Sequence, residues 1–183
     1  HSSIALSAFG LISEHLNQVR QLISSQLTAP GAAPEVDRLL RHIDNNNGKM
    51  LRPGLVLLSG VSCGAITDQH ITVAAVVEMI HTATLLHDDV IDHGQIRRGL
   101  PTINSQWGNE SAVLLGDFLL SRVFKMCAEL PPDIAKEIAG AAISVCEGEL
   151  RQVAHKHNFD LAEPEYIDII ANKSASLFSS CCY

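Results

Sequence analysis

Residues 68–92 read DQHITVAAVVEMIHTATLLHDDVID, and this stretch decides the fold class. Its length corresponds to about seven helical turns, and neither Pro nor Gly interrupts it. We therefore predict a long, unusually apolar helix from Asp68 to about Asp92, ended by Gly94, at the centre of a helical bundle. Helical periodicity also dominates the remaining sequence, and alternating β-type runs are scarce, so we expect an all-α fold.

Six further helices surround this central prediction, and Pro, Gly and polar turn residues separate them. They span about 4–27, 34–44, 52–63, 111–130, 132–158 and 163–183. Residues 95–107 are expected to form a basic connection that contains Gly and Pro. Because the last predicted helix has no capping or breaking residue before Tyr183, we expect residues 1–183 to be the truncated, N-terminal part of one helical domain.

Charge and cysteine usage limit the possible partners and the compartment. The formal net charge of -7 argues against nucleic-acid binding, which needs a basic surface. The five cysteines are odd in number and form no C-x-x-C pair, which favours reduced thiols and a cytoplasmic protein. No uninterrupted apolar span reaches membrane length, so stable membrane insertion is not expected.

Asp88, Asp89 and Asp92 place three carboxylates at the C-terminal end of the predicted central helix. Residues four apart share a helix face, so Asp88 and Asp92 project together, with Asp89 beside them. Their mutual repulsion and the helix dipole disfavour this arrangement unless a cation offsets it. Mg²⁺ prefers carboxylate oxygens together with substrate phosphate, so we predict a magnesium site. A solvated acidic helix end is the alternative.

Two pairs of cationic residues accompany the acidic cluster. Lys49 and Arg52 lie at a loop-to-helix junction, where free backbone N–H groups favour phosphate. Arg97 and Arg98 follow the acidic cluster, and a guanidinium can bond phosphate oxygens at two points. Each pair alone is typical of surface charge. Together with the acids they predict a site for two diphosphates, one held through metal and the other by direct cationic contacts.

Three further side chains are candidates because they interrupt apolar helices. His81 precedes Asp88 near the same helix face, although a lone His on an apolar helix is more often a hydrogen-bonded core residue. Lys173 and Ser174 interrupt the otherwise apolar last helix. Polar residues at such positions are unusual in a core helix and are expected in the wall of a cavity.

Taken together, these segments resemble the trans-isoprenyl diphosphate synthase (polyprenyl synthetase) family. The resemblance extends over essentially the whole chain, in the order and spacing of the family. The segments that carry it are GKMLRP at 48–53, HTATLLHDDVID at 81–92, RRG at 97–99, GDFLL at 116–120, GE at 148–149 and KS at 173–174. The resemblance implies an antiparallel, all-α bundle of the isoprenoid synthase type. It also implies that isopentenyl diphosphate is joined to an allylic diphosphate.

The resemblance implies roles at the acidic site. Asp88 and Asp92 correspond to the family's first aspartate-rich motif and are expected to bind Mg²⁺, with Asp89 in support. Arg97 and Lys173 are expected to contact the allylic diphosphate. The family's second aspartate-rich motif belongs to a later helix, and no second D-D-x-x-D occurs in the 183 residues. We therefore expect the chain by itself to be inactive, with apolar helix faces that something else covers.

The resemblance also implies a second binding site and the chemistry that joins the two substrates. Lys49, Arg52, His81 and Arg98 are expected to hold isopentenyl diphosphate. Ser174, where many members have Thr, is expected to help guide proton removal. The cations stabilise the leaving diphosphate as the allylic C–O bond ionises, and a dry apolar cavity protects the carbocation. The family further suggests a homodimer.

The residues just before the first acidic motif bear on product length. Short-chain relatives commonly place an aromatic residue there, whereas this chain has Ala83 and Thr84. Small residues leave the path of the growing chain open, which predicts a long-chain product. The alternative is a floor on another helix, near Ala139 and Ile143.

Other functions compete with a long-chain synthase. A non-catalytic regulatory subunit of a heteromeric synthase is the first alternative, and the intact acidic motif with its cations argues against it. A class I terpene cyclase shares D-D-x-x-D, but it does not need the GKMLRP segment. A short-chain farnesyl or geranylgeranyl diphosphate synthase also fits the same motifs.

Overall fold

The computed structural model describes residues 8–31, 33–44 and 48–183 of the chain. A helical turn at residues 8–11 precedes the first full helix. The elements in chain order are α1 (Ser13–Gln26), α2 (Pro34–Asp44), α3 (Leu51–Ser62), α4 (Asp68–Ile91), β1 (Ile96–Arg97), β2 (Leu100–Pro101), α5 (Ile103–Trp107), α6 (Asn109–Cys127), α7 (Pro132–Ala154), α8 (Glu163–Ile170), a π-helical segment (Ala171–Ala175) and α9 (Ser176–Ser180). The predicted all-α class is confirmed. The predicted start of the first helix near Ile4 and the turn at residues 45–47 lie outside the described residues.

Helix α4 is the central helix, as the sequence predicts. It begins one residue after Thr67, whose backbone N–H donates to Nδ1 of His70 at 3.1 Å and so satisfies one free amide of the first turn. The helix packs most extensively against α6, and then against α3 and α1. Residues 74–80 are all buried, because neighbouring helices cover several faces of α4. The acidic end of α4 is thereby fixed to a rigid core.

The connection after α4 has more structure than the sequence predicts. Strands β1 and β2 form an antiparallel hairpin, with Ile96 opposite Pro101. Its turn places Arg98 and Gly99 at positive φ (53° and 80°), a conformation that only Gly adopts without strain. Thr102 then caps the short helix α5 by accepting from the backbone N–H of Ser105 at 3.4 Å. Two-residue strands have too little alternation for a sequence pattern to reveal them.

The last predicted helix is divided by the π-helical segment. The single continuous helix predicted from residue 163 is in fact α8, the π-helical segment and α9. The break lies where the backbone of Lys173 packs against Gly148 of α7: a Cβ on Gly148 would lie 2.8 Å from the Cα of Lys173. Because Gly148 has no side chain, the two backbones lie in direct contact. The side chain of Lys173 extends from this break towards Asp88 at the end of α4. Short π-helical insertions of this kind are frequent at functional sites.

Two helices leave apolar side chains exposed. Ile143 and Leu150 of α7 are seven residues apart and share one face, and Leu150 is 71% exposed. Val113 and Phe124 of α6 are about three turns apart and also share a face, with Phe124 70% exposed. Apolar surface of this size is typical of a face that packs against something else. Among the described residues, none of the helices has the length and apolarity to cross a membrane.

Candidate functional site

Asp88 and Asp92 define the acidic end of α4. Asp88 has a side chain only 18% exposed, whereas Asp92, at the C-cap of the helix, is exposed. Burial raises the pKa of Asp88 above its ordinary value, and the negative charges of Glu149 and Asp92 raise it further. Lys173 and Arg97 oppose this shift. The end of α4 therefore concentrates negative charge that the nearby cations offset only in part.

Lys173 lies between two carboxylates. Its Nζ contacts Oε2 of Glu149, on α7, and lies 3.8 Å from Oδ2 of Asp88. The three side chains come from α4, α7 and the π-helical segment, so tertiary packing brings them together. Ser174, the next residue, is exposed at the same break. The sequence analysis assigned no role to Glu149, although it lies in the GE segment at 148–149.

Arg97, on the hairpin, forms a two-pronged ion pair with Asp89. Its Nη2 donates to Oδ1 of Asp89 at 2.7 Å, and its Nε lies 3.0 and 3.1 Å from the two carboxylate oxygens. The hydrogen bonds to Asp89 raise the pKa of Arg97. The negative charges of Asp89, Asp88 and Asp92 raise it as well. The guanidinium is about a third exposed, so it is held in place and still reaches solvent.

A separate basic pocket lies two turns back along α4. Lys49, Arg52, His81 and Arg98 line a cavity of about 200 Å³, together with Glu78. The four residues predicted to hold one diphosphate are thus brought together from the loop before α3, from α3, from α4 and from the hairpin turn. The shape of the cavity comes from the packing of these elements, which a sequence pattern does not show.

Electrostatics make the pocket suited to an anion. Nε of Arg52 is buried without a hydrogen-bond partner, and its guanidinium lies over the ring of Phe178 at 4.2 Å. Burial lowers the pKa of His81 to about 4, and the charges of Arg52 and Arg98 contribute to the shift. Burial also raises the pKa of Glu78, although Arg52 and Arg98 oppose the shift. An anion in the pocket would complete the hydrogen bonding that Arg52 lacks.

The backbone around the basic pocket is unusually constrained. Met50, just before α3, has a positive φ of 54°, and Arg98 has one of 53°. The guanidinium of Arg98 packs directly over Gly48: a Cβ on Gly48 would lie 2.7 Å from both terminal nitrogens of Arg98. Left-handed conformations at non-Gly residues cost about 1–3 kcal/mol and cluster at ligand sites. The loop before α3 and the hairpin turn are therefore fitted to each other at the pocket.

The carboxylates at the acidic end of α4 suit a metal ion that other ligands complete. Among the residues that the structure describes, no three His, Cys, Asp or Glu side chains are arranged to enclose a metal ion by themselves. Mg²⁺ does not require such a cage, because it is commonly held by one or two carboxylates, with water and phosphate completing its shell. Asp88 and Asp92 supply that donor type, and the charge crowding at Asp88 is what a divalent cation relieves. The residues present fit Mg²⁺.

The residues predicted to affect product length lie on α4, about one turn before Asp88. Ala83 is fully buried in the core, and Thr84 is half-buried with its hydroxyl donating to the carbonyl of His81 at 2.8 Å. On α7, Ala139 and Ile143, the alternative floor, are exposed. Both possibilities stay predictions.

The fold and the site define an all-α protein with a basic pocket and an acidic helix end on one central helix. The chain matches the polyprenyl synthetase family over residues 33–183, and it therefore belongs to that family. It is 41% identical, over 140 residues, to an all-trans-nonaprenyl-diphosphate synthase (geranyl-diphosphate specific) from Rhodobacter capsulatus, covering 75% of this chain and 43% of that protein. It is 38% identical to the octaprenyl diphosphate synthase of Escherichia coli, covering 79% of this chain and 45% of the relative. The chain thus spans somewhat less than half the length of these relatives.

Solved structures have the same fold. A decaprenyl diphosphate synthase from Rhodobacter capsulatus superposes with a TM-score of 0.90 at 36% identity, covering 96% of this chain and 54% of that one. A polyprenyl synthase from Caulobacter crescentus, solved with calcium and isoprenyl diphosphate, gives a TM-score of 0.90 at 35% identity, covering 96% of this chain and 53% of that one. The predicted family and the isoprenoid synthase fold are confirmed.

Proposed function

We propose that this chain belongs to a trans-prenyltransferase that joins isopentenyl diphosphate to an allylic diphosphate and makes a long-chain polyprenyl diphosphate. The observation that carries the proposal is the basic pocket around Arg52. The pocket includes His81 of α4, which lies two turns before the acidic end at Asp88. One site fits an anion held by side chains alone, and the other fits an anion held through a cation. Membership of the polyprenyl synthetase family supports the same function.

The basic pocket holds isopentenyl diphosphate. Lys49, Arg52 and Arg98 contact its phosphate oxygens, and the buried Nε of Arg52 gains the hydrogen-bond partner that it lacks. His81 lines the same pocket and donates a ring N–H to the diphosphate. Cations directed at this diphosphate orient the isopentenyl double bond towards the acidic end of α4.

The acidic end holds the allylic diphosphate. Asp88 and Asp92 would hold Mg²⁺, with Asp89 in support, and the bound ion would supply positive charge to the departing diphosphate. Lys173 and Arg97 approach the same diphosphate and stabilise the charge that develops on it as the C–O bond breaks. The isopentenyl double bond then forms the new C–C bond, and the released diphosphate accepts the proton that is lost, with Ser174, exposed at the break in the last helix, helping to guide it.

A long-chain product is proposed on two grounds. The relatives with octaprenyl or nonaprenyl products are 37–41% identical to this chain, whereas a geranylgeranyl diphosphate synthase from Sulfolobus acidocaldarius is 31% identical. The second ground is that small residues, Ala83 and Thr84, lie where the family resemblance places the path of the growing chain. We expect Ala83→Phe to shorten the products made by the full-length protein. Unchanged product lengths would mean that the floor lies elsewhere, for example near Ile143.

The proposed activity is tested with the full-length protein, farnesyl diphosphate, labelled isopentenyl diphosphate and Mg²⁺. We expect a ladder of long polyprenyl products that Asp88→Ala abolishes. Asp160→Ala, which removes an exposed carboxylate from the loop before α8, is the matched control and keeps the ladder. A folded protein that extends no primer in the presence of Mg²⁺ would contradict the proposal and favour a regulatory subunit.

We further propose that the protein is a cytoplasmic homodimer in which residues 1–183 form part of one domain. The exposed face of α6 that contains Val113 and Phe124 supplies apolar surface that a second copy can cover. The absence of any C-x-x-C pair among the five cysteines supports the compartment. Light scattering on the purified full-length protein should give twice the chain mass, and a monomer at micromolar concentration would contradict the dimer.

A further inference from the structure

Asp89 differs from the two acidic residues beside it. Asp88 and Asp92 lie four residues apart on one face of α4, whereas Asp89 is turned from Asp88 by about 100°. The side chain of Asp89 is 9% exposed and faces the hairpin, while Asp92 is exposed. Asp89 is therefore the buried member of the acidic motif, and its carboxylate meets the hairpin.

Both carboxylate oxygens of Asp89 are engaged by Arg97. Nη2 and Nε of Arg97 both bond Oδ1, at 2.7 and 3.0 Å, and Nε also lies 3.1 Å from Oδ2. A guanidinium held by a carboxylate in this way is fixed in direction as well as position. Arg97 is the residue that the proposed function places against the allylic diphosphate. Asp89 thus determines where that cation points.

Hydrogen bonds of the backbone beside Asp89 also hold the hairpin in place. The carbonyl of Asp89 accepts from the backbone N–H of Gly94 at 2.8 Å and from Nδ2 of Asn104 at 3.1 Å. The carbonyl of Gly94 in turn accepts from Asn104 at 3.0 Å and from the hydroxyl of Thr102 at 2.8 Å. A Cβ on Gly94 would lie 2.9 Å from Oδ1 of Asp89, so glycine leaves space for the carboxylate. These contacts tie both ends of the hairpin to Asp89.

We propose that Asp89 is a positioning residue that holds Arg97 against the allylic diphosphate. This inference rests on the proposed function, since it assigns an anion to Arg97. Oδ1 of Asp89 accepts two of the hydrogen bonds from Arg97, and Oδ2 accepts the third. Loss of the Asp89 charge would therefore release the guanidinium of Arg97 from its present direction.

A double-mutant cycle in the full-length protein tests this assignment. Asp89→Asn and Arg97→Gln should each raise the KM for farnesyl diphosphate about tenfold, and the double variant should lose no more than either, because the two residues act as one unit. Binding of Mn²⁺ in the presence of inorganic diphosphate, followed by electron paramagnetic resonance, gives a readout that does not depend on activity. Asp89→Asn should keep the Kd for Mn²⁺ within about twofold, whereas Asp88→Asn should raise it about tenfold or more. Asp89→Glu should recover part of the KM, since it keeps the charge.

Two results would overturn the assignment. One is an equal loss of Mn²⁺ affinity in Asp89→Asn and Asp88→Asn, and the other is multiplicative KM losses in the double variant. If Asp89→Asn does not fold, crystals of the unmodified protein with Mn²⁺ and inorganic diphosphate decide between the roles. Mn²⁺ next to Asp88 and Asp92, with Asp89 still on Arg97, supports the proposal, and Mn²⁺ bonded to Asp89 refutes it. An unmodified protein that binds both ligands but makes no product contradicts the proposed function alone.

Discussion

The acidic end of α4 and the basic pocket lie two turns apart on one helix, but their charges are unbalanced in opposite directions. Burial raises the pKa of Asp88, and the carboxylates of Glu149 and Asp92 raise it further. Lys173 lowers this pKa, but only in part. Among the described residues that line the pocket around Arg52, cations outnumber the acid Glu78, and the buried Nε of Arg52 lacks a hydrogen-bond partner. Each region is satisfied by a ligand of the charge that it lacks. The proposed function accordingly places one anion in direct contact with cations and the other against a cation held by carboxylates.

The largest expected effect comes from removing the cation of the acidic region. Lys173→Met keeps the length of the side chain but leaves Glu149 and Asp88 without their shared ammonium. We expect kcat to fall by roughly 100–1000-fold, as when a group that stabilises the departing anion is lost. The KM for isopentenyl diphosphate should change little, because the basic pocket is intact. Lys136→Met, on the exposed surface of α7, is the matched control. Equal losses in the two variants would contradict the assignment.

The reciprocal change is made in the basic pocket. Arg52→Gln removes a charged donor from the proposed diphosphate, which costs about 1.5–3 kcal/mol of binding. The KM for isopentenyl diphosphate should therefore rise by roughly 10–100-fold, while the KM for farnesyl diphosphate stays near its original value. Arg38→Gln, exposed on α2, controls for the loss of a positive charge. A rise in the KM for the allylic substrate alone would reverse the assignment of the two sites.

The pH dependence of folding stability tests the burial of His81 in the basic pocket. Its pKa is about 4 in the folded chain and 6.5 ordinarily, so between these values the unfolded chain binds more protons. The free energy of unfolding should therefore fall as the pH drops from 6.5 towards 4, with His81 contributing about 2 kcal/mol. His81→Asn should remove this part of the pH dependence. Urea unfolding of both proteins at pH 7 and pH 4.5 measures it, and identical pH dependence would contradict the shifted pKa.

The smallest expected effect tests the fit between the loop and the hairpin turn. Gly48→Ala places a methyl group where the guanidinium of Arg98 now lies. Because the end of this side chain can shift, we expect only about a three- to tenfold rise in the KM for isopentenyl diphosphate, or about 1 kcal/mol. Gly10→Ala is the matched control, since a Cβ there meets nothing within 4 Å. An unchanged KM in Gly48→Ala would mean that Arg98 does not need its present position.

The sequence predicted the regular elements better than the connections between them. The bounds of α4 were predicted to within one residue, because its apolar pattern is long and uninterrupted. The hairpin at residues 96–101 was predicted as an irregular connection, since two-residue strands carry no periodic signal. The break at Lys173 was also missed. It depends on the backbone contact with Gly148, which the sequence near Lys173 does not reveal.

Most candidate residues could be predicted from the sequence, but their partners could not. Polar and charged side chains within apolar helices are costly to bury unless they have a partner, so Asp88, His81 and Lys173 stand out in the sequence itself. The sequence also determined the all-α class, through helical periodicity, and the family, through the order of its motifs. Only the tertiary structure decided that Asp89 pairs with Arg97 and that Glu149 meets Lys173. Those contacts depend on how separate elements pack, and the physical reason is that ion pairing needs distances of a few ångströms, which the spacing of residues along a chain does not determine.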